Sequence, residues 1–154
     1  MKKAIIIGGL ALVAILGFRA YTKVQEYTAI LSQLRAWPSK VKSFQIKALN
    51  KIKVVIDLDV QNPTSTAFSV TTGNTATLKK VMVFMGNTFL GTIEVNRSDI
   101  EIPAYGTTII ENLPLEFNPL GAALALLQMS NLDASALKVE AVVNILGTDY
   151  TIKQ

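Results

Sequence analysis

Two periodicities divide this chain. Val24, Tyr27, Leu31 and Leu34 recur at helical spacing and fall on one narrow face. Ahead of them lies an uncharged apolar run, Ala4 to Phe18, and behind them Pro38, which disfavours helix at Trp37. The pattern predicts one continuous helix from about Ala4 to Ala36, roughly 50 Å long. From residue 43 onward the period becomes two. Ile52, Val54, Ile56, Leu58 and Val60 alternate with Lys53, Val55, Asp57, Asp59 and Gln61, which predicts a half-buried strand closed by Asn62-Pro63.

Further strand-like runs are Ala67–Thr71, Thr77–Met85, Thr88–Val95, Thr107–Phe117, Leu137–Leu146 and Tyr150–Lys153. Turn residues separate them, and Gly86-Asn87 between two apolar runs signals a tight hairpin. Asn118 as N-cap, Pro119 at the first helical position and the Ala- and Leu-rich run Gly121–Met129 predict one short helix over an open end of the sheets. The expected fold is mainly β: an antiparallel β-sandwich, residues 39–154, behind an N-terminal helical stem, residues 1–38.

The stem has the composition of a membrane anchor. Ala4, Ile5, Ile6, Ile7, Leu10, Leu12, Val13, Ile15, Leu16 and Phe18 form the expected span. As helix the run is about 22 Å long, and Lys3 and Arg19 extend it by snorkelling from its ends. A cleaved signal peptide shares the basic start and apolar core, but Phe18 would then sit where cleavage wants a small side chain. A single-pass membrane protein with a short N-terminal tail is the expected localisation. Basic residues flank the run on both sides, so the positive-inside rule leaves the side of the body undecided.

Charge sharpens the division. The net charge is +4, yet residues 1–53 hold ten Lys and Arg against Glu26 alone, and the remainder holds five against ten acids. A basic stem carries an acidic body. Lys2, Lys3, Arg19, Lys23, Arg35, Lys40 and Lys42 are the expected contacts to anionic lipid headgroups, the lipid bilayer being the first expected partner. The other reading of the run from Arg35 to Lys53 is the solvent face of strands. Nucleic acid is a distant third, because only Trp37 and Phe44 interleave with these lysines and no nucleic-acid motif is present.

Composition narrows the chemistry. The chain has no Cys and no His, which excludes disulfides, thiolate sites, a thiol nucleophile and a lipid-modified cysteine, and removes the commonest general base and zinc ligand. Asp57 and Asp59, at i and i+2 on a strand, point to one side and could pair as acid and base or as calcium ligands. A solvated outer face accounts for them more simply. Asp99, Glu101 and Glu111 have no cationic or metal-ligating partner at recognisable spacing. No catalytic residue, cofactor, metal site or small-molecule substrate is expected. The expected protein contacts, to a partner or a second copy, are the stem stripe Val24, Tyr27, Leu31 and Leu34 and the hairpin residues Phe84 and Phe89; packing on the protein's own body is the competing reading.

Four segments carry a family resemblance: residues 54–70 with Asn62-Pro63, residues 81–95 with the turn region Gly86–Gly91, residues 100–117 with Ile102-Pro103-Ala104 and Thr107-Thr108, and residues 137–152 with the closing turn at Gly147. In order and spacing these resemble the late-embryogenesis-abundant (LEA) type 2 domain, also called the water-stress and hypersensitive-response domain. The resemblance covers about residues 40–154. It implies an immunoglobulin- or fibronectin-III-like sandwich without a catalytic site, preceded in membrane-anchored members by one transmembrane helix.

The expected function is therefore non-enzymatic: a membrane-anchored structural or interaction protein of a cell envelope or a membrane-containing virion. The alternative is an LEA-type protectant of membranes or proteins during water loss. One fold serves many roles, so the resemblance does not choose between them.

Overall fold

The computed structural model describes residues 25–48, 51–69, 76–118 and 133–154. Nine strands are present among them: β1 Arg35–Ala48, β2 Lys51–Gln61, β3 Phe68–Ser69, β4 Ala76–Met85, β5 Thr88–Arg97, β6 Glu101–Ile102, β7 Thr107–Phe117, β8 Leu137–Ile145 and β9 Thr148–Lys153. They form a three-stranded sheet in the order β1-β2-β7, a four-stranded sheet β5-β4-β8-β9 and a two-stranded pair β3-β6. Every pairing is antiparallel. The chain is mainly β, as the alternation predicts.

The alternation also assigns the faces. Ile52, Val54, Ile56, Leu58 and Val60 of β2 are buried in one core with Val81 and Val83 of β4, Ile93 of β5, Leu113 and Leu115 of β7 and Val139 and Val143 of β8. The apolar faces of both larger sheets thus share that core. On the β5 and β7 side the sheets close at Gly91, where a Cβ would stand 3.0 Å from Leu115 Cδ1 and 3.4 Å from the carbonyl of Glu116. A larger residue there would need the Leu115 side chain to give by a few tenths of an ångström. The Gly86-Asn87 turn joins β4 to β5 as predicted, with Gly86 at φ +59.

The stem departs from expectation. Residues 25–31 are helical, but the helix does not run on to Ala36; Arg35 already opens β1, which carries Trp37-Pro38 as strand. Proline pushes its predecessor into extended backbone, which ends a helix and equally suits a strand. It is tolerated because β1 is an edge strand, where a missing N–H breaks no inner ladder. Ile30, Leu31 and Leu34 are buried in the common core, and the Tyr27 ring meets Phe68 edge-on at 5.6 Å. A boundary at residue 38 would cut through β1.

The expected membrane localisation is corrected. Among the described residues no helix is long and apolar enough to cross a membrane. The described helical residues 25–31 turn their apolar side chains into the protein's own core instead. The expected span, 4–18, and Lys2, Lys3, Arg19, Lys23 and Val24 lie outside the described residues, as does the expected helix 121–129. Two elements have no counterpart in the sequence reading: the two-residue strand β6, and a 3-10 turn at Ala134–Ala136 capped by the Asp133 side chain.

Candidate functional site

The outer face of the three-stranded sheet carries a polar cluster, and β-bulges build it. On the β7 side Ile56 pairs with Leu113 but Leu58 with Ile110, so Asp57 faces both Glu111 and Asn112. On the β1 side Val41 pairs with Ile56 and Ser43 with Val55, so Lys42 is the extra residue. Asn112 adopts φ +60, a left-handed conformation that asparagine tolerates better than most residues.

Asp57 is consequently buried, 5% exposed, although its strand position points it outward. This corrects the expectation of a solvated carboxylate. Its Oδ1 accepts from the Asn112 backbone N–H at 2.9 Å and from Lys42 Nζ at 3.2 Å. Lys42 Nζ also donates to Asn112 Oδ1 at 3.0 Å and lies 3.6 Å from Glu111 Oε1. An amine, a carboxylate and a carboxamide therefore meet within hydrogen-bonding distance on three adjacent strands. Sequence reasoning singled out Lys42 and Asp57 separately and missed Asn112. One signal was readable: the apolar period of two breaks between Ile110 and Leu113, as a bulge requires.

Asp59 does not join this cluster. It lies in a row with Trp37 and Ile109, and its Oδ1 is buried without a hydrogen-bond partner. The basic run of β1 and β2 is partly neutralised: Lys47 and Lys51 pair with Glu116 at 3.3 and 2.9 Å, which holds its carboxyl below the usual glutamate range, Lys51 acting most strongly. Lys40 and Arg35 are exposed. The expected second acidic group is dispersed, and two of its members have cations: Asp99 pairs with Arg97 at 3.2 Å, Glu111 with Lys42, and Glu101 accepts from Ser69 at 3.3 Å. Among the described residues no group of three or more acidic side chains could hold a metal ion.

The predicted contact residues separate by location. Leu31 and Leu34 are buried and Tyr27 is half-buried, all against the body. Phe84 and Phe89 pack edge-on at 5.5 Å on the outer face of the four-stranded sheet. Phe89 is 52% exposed. Beside them a groove runs past Asn87, Lys138, Glu140 and Lys153. Between the sheets, Leu34, Val60, Phe68, Leu78 and Ile110 line an apolar cavity of about 20 Å³, room for no more than a water.

No family model and no curated protein matches this chain. Among solved structures, a crystal structure of a protein from Archaeoglobus fulgidus is similar at 10% identity, covering 74% of this chain and 88% of that one, with a TM-score of 0.36. A solution structure of a provisionally assigned late embryogenesis abundant (LEA) protein is similar at 13% identity, covering 92% of this chain and 78% of that one, with a TM-score of 0.31. Likenesses this distant carry no argument about function.

Proposed function

We propose that the chain is a non-enzymatic contact module, an immunoglobulin-like β-sandwich that acts by presenting its surface to another protein. The observation that carries this reading is the Phe84–Phe89 pair, standing on the outer face of the four-stranded sheet with Phe89 half-exposed. Aromatic side chains at the tip of a hairpin bury much area with little entropy loss, which suits them as anchors in an interface. Asp57, Asp99 and Glu111 are each engaged by a cation, which also fits a structural role.

The test is photo-crosslinking in the native source from a probe placed at Phe89, compared with one at Lys40. A single neighbour crosslinked in fixed ratio from Phe89 and not from Lys40 supports the module. Equal, unspecific labelling from both positions refutes it.

A protectant of the LEA type 2 kind is the second reading, supported by the resemblance around Asn62-Pro63, Gly86–Gly91, Ile102–Thr108 and Gly147. It predicts that the chain preserves a reporter enzyme through drying, and that Phe89→Ser preserves it equally well.

A further inference from the structure

We propose that Lys42 and Asn112 join through an intramolecular isopeptide bond, with Asp57 as the proton-transferring group. Such a bond needs three things within reach of one another: an amine nucleophile, a carboxamide whose nitrogen can leave as ammonia, and a sheltered carboxylate to move the proton. The cluster on β1, β2 and β7 holds all three. Lys42 Nζ is 3.0 Å from Asn112 Oδ1 and 3.2 Å from Asp57 Oδ1, and Asp57 is buried. The Asn112 backbone N–H on the same Asp57 oxygen, at 2.9 Å, holds the carboxamide-bearing residue in place. Bulges on both flanking strands create this convergence: Glu111 and Asn112 share the place opposite Asp57 on β7, and on β1 Lys42 is the extra residue between the partners of Ile56 and Val55, next but one to Lys40, the register partner of Asp57.

The reaction balances without a further reactant. Asp57 takes a proton from the Lys42 ammonium, and the freed amine attacks Cγ of Asn112. The Nζ–Cγ bond forms, Asp57 returns the proton to Nδ2, the Cγ–Nδ2 bond breaks, and the second proton that the attacking nitrogen sheds passes to the released ammonia. An ammonium and a carboxamide become an amide and an ammonium ion. Orientation of amine and carboxamide in one cluster supplies the acceleration, as in any reaction made intramolecular. The product ties the edge strand β1 to β7 across β2, between residues 70 apart in sequence, and a cross-link closing a long loop restricts the unfolded chain.

The experiment is intact-mass measurement of the full chain after folding, with peptide mapping. The expected result is a mass below the sequence value by one ammonia, together with a branched peptide joining the Lys42 and Asn112 segments. Lys42→Arg and Asp57→Asn should both restore the sequence mass. A wild-type chain that keeps its sequence mass after prolonged incubation overturns the proposal. So does ammonia loss without the branched peptide, the signature of an asparagine succinimide, or ammonia loss that persists in Lys42→Arg.

Discussion

Asn62 Nδ2 donates to the carbonyl of Thr66 at 2.8 Å, from a side chain that is wholly buried. The same side chain accepts from the N–H of Thr64 at 3.0 Å and from its hydroxyl at 2.6 Å, while the Asn62 backbone N–H donates to Gly106 at 2.9 Å. One residue thus fastens the loop after β2 to the loop before β7.

Asn62→Ala should therefore destabilise the fold by about 2–3 kcal/mol, because it removes the side-chain bonds to Thr64 and Thr66 and empties a wholly buried position. Asn62→Asp should destabilise it too, since a carboxylate keeps the acceptor and loses the donor. Denaturant unfolding monitored at Trp37 measures both.

Leu34 tests whether the stem belongs to the body. It is 4% exposed within the common core. Leu34→Ala should lower stability by about 2–4 kcal/mol, as for a buried leucine in any core. A change within about 0.5 kcal/mol, the range of surface substitutions, would mean that the stem is dispensable to folding.

Gly91 reports on the closure of the two sheets. Gly91→Ala brings a methyl to within 3.0 Å of Leu115 Cδ1. The expected loss is about 1–2 kcal/mol, partly relieved by a Leu115 rotamer change. Leu115→Ala in the same chain should recover less than it loses, because Leu115 itself is buried.

Glu116 gives a pH dependence. Lys51 and then Lys47 hold its carboxyl below the ordinary value of 4.5. A depressed carboxylate contributes stability that is present above its unfolded-state pKa and lost as pH falls through the folded value. The deficit of Glu116→Gln should hence be present above the ordinary value of 4.5 and fade as the pH falls below it. Added salt should shrink it as well, since the pair is exposed. Unfolding midpoints of wild type and variant across that range decide it.

Phe89 separates interface from scaffold. Phe89→Ser should alter stability by less than about 1 kcal/mol, because the ring is half-exposed, yet abolish the specific crosslink formed from a second probe placed at the neighbouring Asn87. Loss of folding in this variant would make the aromatic pair structural.

Much of the architecture was legible in the residues. Thr107–Phe117 matches β7 at both ends, and the bounds of β4, β5 and β8 fall close to the predicted ones. These strands read well because each alternates over most of its length, with β7 breaking at Glu111-Asn112, and ends near glycine, asparagine or proline. β1 read poorly. Trp37-Pro38 predicts the stop of a helix, whereas the same backbone preference suits a strand when β2 is available to pair with it. The short strand β6 has no periodicity of its own and exists because Phe68 and Ser69 of β3 lie opposite it.

The candidate site divides in the same way. By itself the sequence determined which residues face the core, since side-chain direction alternates locally along any strand. It also determined that chemistry without histidine or cysteine is what this chain has to work with. Only the tertiary structure decided that Lys42, Asp57 and Asn112 meet, and that a carboxylate on the outer face is buried. Strand order and bulge position place them together, and both are settled by pairing between residues far apart in the chain, which no local pattern encodes.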